Sequence, residues 1–256
     1  MHKLIAVVGP TGSGKTALAV KLAQKFNGVI ISADSRQVYR GLDIGTNKEG
    51  TPGRWNNQTV RLIDGIPQLL IDVVDPGDRF TLNDWLQQAR YGLKHIFERG
   101  QLPIVVGGTG LYVTALLEGY QPGGGRFAIN NQPVDFESLI LMPAIDREIL
   151  NQKSDQRCSR VFDALVAETE ELLASGVSGD WLDKIGLDYR YVFKRIRGQL
   201  SREEAIEQYQ AASRAYIRRQ LTWWRHHGEP VLVGSVRRAE LLVKKGLGIR
   251  PPSRRS

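Results

Sequence analysis

Eight residues near the N-terminus, Gly9-Pro10-Thr11-Gly12-Ser13-Gly14-Lys15-Thr16, have the spacing G-x-x-x-x-G-K-[ST]. Each residue type has a task if the ligand is a phosphate chain. Glycines let backbone N–H groups turn inward around an anion with no Cβ in the way. A helix starting at Lys15 adds its positive end, Lys15 itself a full charge, and the Thr16 hydroxyl a ligand for Mg²⁺. The pattern specifies phosphate or pyrophosphate and leaves open whether a nucleotide carries it. No guanine-reading Asn-Lys-x-Asp follows, because Asn47-Lys48-Glu49-Gly50 has Gly where the Asp belongs. Asp72, closing Leu69-Leu70-Ile71-Asp72, has the form of a strand-end Mg²⁺ aspartate, a string common enough to carry little weight.

These residues need a frame. Lys3–Val8 is a short β-branched run suited to a buried parallel strand, and Lys15–Phe26 has the apolar spacing of a helix stopped near Gly28. Val29–Ser32 predicts a second strand and Gln68–Val74 a third, with the Gly- and Asn-rich stretch Gly41–Gln58 between them as loop. Asn83–Arg99 predicts a helix and Leu102–Val106 a strand. Strands alternating with helices in this order predict an α/β fold, a P-loop NTPase-like parallel sheet flanked by helices. Ligands of such sheets bind at the carboxyl ends of the strands. Two further segments arrive there: Asp34-Ser35-Arg36-Gln37, a carboxylate with polar neighbours, and Gly107-Gly108-Thr109-Gly110, which permits close backbone approach. Asp34 and Ser35 also suit plain turn formation, and Asp34 could equally hold a metal.

The rest of the chain divides by composition. Residues 1–120 form the P-loop core; 121–135, rich in Gly, Pro and Asn, read as a linker; 136–227 are mostly helical after a strand at Ile140–Met142; 228–256 read as a mobile basic tail. Ser201 with Glu204 opens a capping box for a helix running to about Arg225, with Arg214, Arg218 and Arg225 on one stripe. Hydrophobic residues make up 41% and charged residues 24% of the 256, ordinary for a globular chain. The single cysteine, Cys158, excludes an internal disulfide framework and a cysteine-rich zinc module. With no apolar run of membrane-spanning length and no signal peptide, a soluble cytoplasmic protein is expected. Residues 1–189 hold 19 Lys/Arg against 22 Asp/Glu, whereas residues 190–256 hold 16 against 5. A near-neutral body with a basic C-terminal quarter points to a polyanion such as nucleic acid, or to a solvated basic surface.

Four blocks in order, GPTGSGKT at 9–16, DSRQVYRGLDIGTNK at 34–48, LPIVVGGTGLY at 102–112 and SRAYIRRQLTWWR at 213–225, resemble the tRNA dimethylallyltransferases. The resemblance implies transfer of dimethylallyl from its diphosphate to the exocyclic amine of an adenosine beside a tRNA anticodon, with Mg²⁺. The P-loop, Lys15 and Thr16 would then grip pyrophosphate, and Asp34 would accept the amine proton late in the reaction. Ser35, Arg36, Gln37 and Thr109 would hold the extruded base. Gly186-Leu187-Asp188-Tyr189-Arg190 fits a family motif that brings Arg190 to the pyrophosphate, and Arg214, Arg218 and Arg219 would face tRNA phosphates. Expected partners are the tRNA anticodon arm and dimethylallyl diphosphate, with no membrane, for a monomeric chain.

This sequence also departs from the family. Residues 121–135 stand where a longer helical insertion belongs, and Gln156-Arg157-Cys158-Ser159-Arg160 has the Q-R-x-x-R spacing of a tRNA-contact motif while its neighbours align with a different helix. Three other readings stay open: prenylation of free AMP, ADP or ATP, a P-loop small-molecule kinase that binds ATP, and a non-catalytic RNA binder.

Overall fold

The computed structural model describes residues 1–121, 130–131 and 133–251. The first half alternates strands and helices: β1 (His2–Val8), α1 (Lys15–Phe26), β2 (Gly28–Ser32), β3 (Thr51–Trp55), β4 (Gln58–Ile63), β5 (Ile66–Leu69), α2 (Leu82–Glu98), β6 (Leu102–Gly107) and α3 (Gly110–Leu117). A short ribbon, β7 (Tyr120–Gln121) with β8 (Asn130–Asn131), precedes β9 (Phe136–Pro143). Then come α4 (Arg147–Ala174), α5 (Gly179–Ile185), α6 (Leu187–Ile196), α7 (Arg202–His226), β10 (Val231–Val233) and α8 (Val236–Gly246).

One eight-stranded sheet runs β10-β9-β1-β6-β2-β5-β4-β3, parallel from β10 to β5 and antiparallel through the β5–β4–β3 edge. Period-two alternation explains why its central strands are apolar throughout. Leu4, Ala6 and Val8 of β1 face one core with Ile31 and Val105, while Ile5 and Val7 face the other with Ile30, Ile104 and Val106. The second core is closed by α1 and α8. The first is closed by α2 and α3 and continues into the helical layer through Phe162, Leu165, Tyr189 and Tyr209, so the helices α4–α7 share the sheet's core.

Expected helices form where their local signals lie. Thr81 and Asp84 make a reciprocal capping box on α2, as Ser201 and Glu204 do on α7. Asp146 caps α4 by accepting from the Glu148 and Ile149 N–H groups. Three expectations are corrected. Gly41–Gln58 is not wholly loop: Thr51–Trp55 pairs with β4 through a turn at Asn56-Asn57, both in left-handed backbone. Pro52 disguises this strand and is tolerated because β3 is the sheet edge. The strand expected at Gln68–Val74 is Ile66–Leu69, stopped by positive φ at Leu70 and Asp72. Residues 228–256 are not simply a tail. Val231 pairs with Leu141, and α8 buries Ala239 and Val243 in the core shared with α1. Most of the expected linker, residues 122–129 and 132, lies outside the described residues, as do residues 252–256.

The segment after β2 is tied to the helical layer from two sides. Glu168 of α4, buried, accepts the N–H groups of Asp43 (2.9 Å), Ile44 (2.7 Å) and Gly45 (3.3 Å), and the Tyr189 hydroxyl at 2.6 Å. Arg157, also on α4, donates to the Ile44 and Gly45 carbonyls at 2.7 and 2.9 Å and to the Tyr209 hydroxyl at 2.9 Å. A Cβ on Gly45 would sit 2.7 Å from the Tyr189 ring, so only glycine fits. Removing the Glu168 carboxylate strands three backbone donors and a buried hydroxyl. Glu168→Ala is expected to lower stability by about 2–4 kcal/mol, and Glu168→Gln by less, in urea denaturation.

Candidate active site

At the carboxyl end of β1 the chain turns through Gly9, Gly12 and Gly14, all with positive φ, and enters α1 at Lys15. No side chain caps α1, which leaves its first N–H groups facing the loop. Lys15 folds back so that Nζ donates to the Pro10 carbonyl at 2.8 Å. Burial pushes the Lys15 ammonium down to about 8, and the Asp34 carboxylate opposes that shift. A cleft of about 300 Å³ opens here, walled by Lys15, Thr16, Gly12, Asp34 and Gln37. Gly9, Pro10 and Ser13 shape the loop from behind; the Ser13 hydroxyl is buried without a hydrogen-bond partner among the described residues.

A second, wider cleft of about 520 Å³ lies between this rim and helices α4, α6 and α7. Arg36, Arg190, Tyr216 and Arg219 line it, and the Arg219 guanidinium lies 5.5 Å over the Tyr216 ring. Burial raises the Tyr216 hydroxyl to about 12, with Asp34 adding to the shift and Arg36 opposing it. The two clefts share Thr11, Gly12, Asp34, Thr46 and Asn47. Asp34 therefore stands at their junction. Its Oδ1 accepts the Arg36 and Gln37 N–H groups at 2.8 and 3.4 Å, while Oδ2 takes no hydrogen bond from a described residue. The turn role and a chemical role thus fall to different oxygens of one carboxylate.

Other expected residues sort by position. Gln37 accepts from the Ser32 hydroxyl (2.9 Å) and donates to the Thr46 carbonyl (3.1 Å), bracing the phosphate cleft. Thr109 walls neither cleft. Its Oγ1 accepts the Ser35 N–H at 3.1 Å, so Thr109 and Ser35 set the turn that carries Asp34. Arg190 stands in the wider cleft rather than the phosphate cleft, with Nε bonded to the Asp183 carbonyl at 2.9 Å. Arg214 was expected to face RNA, but its Nη1 meets both carboxylate oxygens of Asp155 at 2.7 Å, tying α7 to α4. Arg218 and Arg219 are exposed on the same helix. Asp72 is no metal aspartate: Lys48 and Arg61 ion-pair with it, and it walls neither main cleft. The Q-R-x-x-R segment puts Arg157 on the 44–45 carbonyls and beside Asp188, where burial raises the Asp188 carboxyl against the pull of Arg157.

Sequence reasoning passed over Gln220, Thr46, Asn47 and Tyr216, although each lies in one of the quoted blocks. Gln220, buried on α7, accepts the Thr11 N–H at 3.1 Å and donates to the Gly108 carbonyl at 3.0 Å. The glycines of β6–α3 have steric causes: a Cβ on Gly107 would strike the Ala33 backbone, and one on Gly110 the Trp223 indole.

A glycine loop at a helix start, a lysine laid across it and a carboxylate between two clefts make this a P-loop α/β protein shaped for a phosphate chain next to a second ligand. Sequence comparison narrows that class. The family described as IPP transferase matches residues 37–132 and 124–227, and one described as isopentenyl transferase matches residues 2–61. A tRNA dimethylallyltransferase of Limosilactobacillus fermentum is 34% identical over 288 aligned positions, covering 88% of this chain and 91% of the relative. Another, tRNA dimethylallyltransferase 1 of Geotalea daltonii, is 31% identical with 88% and 87% covered. The crystal structure of a full-length tRNA isopentenylpyrophosphate transferase from Bacillus halodurans superposes with a TM-score of 0.82 at 27% identity, covering 97% of this chain and 96% of that one. The chain belongs to the tRNA dimethylallyltransferase family.

A diphosphate bound at this loop would meet the Lys15 charge only when Lys15 is protonated. Below pH about 8 the charge is already present, and above it binding must draw a proton from solvent. Pyrophosphate affinity measured by calorimetry is therefore expected to weaken as pH rises past 8, with proton uptake, and Lys15→Arg should remove that component. On α7, Arg218→Ala with Arg219→Ala should reduce the salt dependence of RNA binding by about 0.7–0.9 for each phosphate no longer neutralised. Arg214→Ala should leave that slope unchanged while lowering stability by about 0.5–1 kcal/mol, since its ion pair is one-third exposed.

Proposed function

We infer that the protein moves a dimethylallyl group from dimethylallyl diphosphate to the exocyclic amine of an adenosine next to the anticodon of a tRNA. The observation that carries this reading is the junction at Asp34. One cleft is built for a diphosphate, the other is wide enough for a nucleobase, and among the described residues the only carboxylate common to both has an oxygen to spare. In the transfer the allylic C–O bond breaks and its electron pair leaves with the diphosphate. The amine nitrogen forms the new bond to carbon and gives its proton to Asp34 Oδ2. An adenine amine is a poor base and a poor acid until the N–C bond begins to form, so a carboxylate suffices as a late acceptor. Lys15 and the open N–H groups at the start of α1 neutralise charge growing on the departing oxygens, in place before the reaction begins.

The oxygen-bearing walls of the phosphate cleft include the Thr16 hydroxyl at the start of α1 and the carboxylates of Asp34 and Glu49, and no cluster of three metal-ligating side chains occurs among the described residues. That suits Mg²⁺, which keeps water and phosphate oxygens as most of its ligands. When bound there it would add positive charge to the diphosphate oxygens, with Thr16 holding it.

For tRNA, the extruded base enters the wider cleft past Arg36 and Tyr216, while Arg218 and Arg219 meet the backbone. A mononucleotide acceptor, or the small acceptor of a kinase, would leave this exposed arginine surface without a task. All invoked residues lie on one chain, so a monomer acting in the cytoplasm, where tRNA is found, is sufficient.

Incubation with dimethylallyl diphosphate and either unmodified tRNA or AMP, followed by mass analysis of adenosine, tests the reading; prenylation of AMP alone, or stabilisation by ATP but not by the isoprenoid diphosphate, would overturn it. Asp34→Asn keeps the turn and removes the base. Its turnover is expected to fall about 10²–10⁴-fold with tRNA affinity within severalfold of the parent.

A further inference from the structure

Gln220 reaches from α7 through to the phosphate loop. Its amide accepts the Thr11 N–H inside the glycine-rich turn and donates to the Gly108 carbonyl at the end of β6, bridging two loops that come from different strands. It is 5% exposed. A primary amide accepts from an N–H through its oxygen and donates to a carbonyl through its nitrogen while remaining uncharged. A Cβ on Gly108 would overlap the amide nitrogen, so the glycine makes room for the bridge. The neighbouring Thr109 accepts the Ser35 N–H, which extends the same run of hydrogen bonds to the turn carrying Asp34. Two residues away on α7, Arg218 faces solvent on the side read above as RNA-facing.

We propose that Gln220 is a positioning residue that holds the phosphate loop at a set distance from the Gly107–Gly110 turn, so that a diphosphate held by the loop is in register with the base at Asp34. It touches neither reacting group. The inference rests on the transferase reading above and deepens it: the helix that meets RNA also sets the donor site.

Gln220→Met keeps volume and removes both hydrogen bonds. Its KM for dimethylallyl diphosphate, and its Kd for inorganic pyrophosphate, are expected to rise about tenfold, the size of one or two missing buried hydrogen bonds, with tRNA Kd within about twofold of the parent. Gly108→Ala attacks the bridge from the other side and should reproduce that split if Gln220→Met folds poorly. Trp223→Phe is the control. It removes the Trp223 bond to Thr114 (3.2 Å) that seats α7 on α3, and should leave the KM for the donor unchanged. Unchanged donor KM in both Gln220→Met and Gly108→Ala overturns the proposal, as does an equal rise in Trp223→Phe, which would mean that seating α7 is all that matters. A parent protein that prenylates no tRNA would instead fail the transferase reading, and pyrophosphate binding would still report on the bridge.

Discussion

Three consecutive N–H groups, from Asp43, Ile44 and Gly45, converge on the Glu168 carboxylate while Arg157 takes two carbonyls of the same stretch. That grip decides where Thr46 and Asn47 stand, and those two residues belong to the walls of both clefts. Both gripping side chains come from α4, so the site exists only when the helical layer is seated on the sheet. The shared core, running from β-strand residues through Tyr39 and Leu42 to Phe162 and Tyr209, supplies that seating. A buried carboxylate and guanidinium would be costly alone; here nearly every polar atom has a backbone or hydroxyl partner, which is the condition under which such groups specify one arrangement.

The same logic runs through the charges. Burial of its ammonium against the loop holds Lys15 down to about 8. Its ammonium is therefore a cost to folding at neutral pH that an anionic ligand relieves. Asp43, Lys48, Arg61 and Asp72 form a closed cluster instead. Burial pushes the Asp43 carboxyl up, but Arg61 and Lys48 outweigh it and hold it below the usual range. Charges that pair internally build the scaffold, and those left open at the clefts and on α7 are available to ligands.

The 288-position alignment with the Limosilactobacillus fermentum relative exceeds the length of this chain, and the IPP transferase family matches in two pieces that overlap over residues 124–132. The phosphate loop, the Asp34 turn and the α7 helix all lie outside that segment. Both clefts are therefore framed by parts of the chain outside the stretch where the two matches overlap.

Local chemistry made much of this legible from the sequence. The loop at 9–16 works through backbone conformation that glycines dictate, α2 and α7 start at side-chain caps, and the central strands show their burial as unbroken apolar runs. Each is a short-range effect written in adjacent residues. Tertiary structure alone decided the rest. Pro52 hides an edge strand because proline is tolerated only where no neighbour needs its N–H, and β10 is three residues made into a strand by β9. Arg214 and Arg218 sit on one helical stripe, yet Asp155, 59 residues away in sequence, neutralises only the first. Gln220 and Thr11 are 209 residues apart, and no pattern along the chain records a hydrogen bond between them. Pairing between distant polar groups depends on how layers pack, and packing is a property of the whole fold.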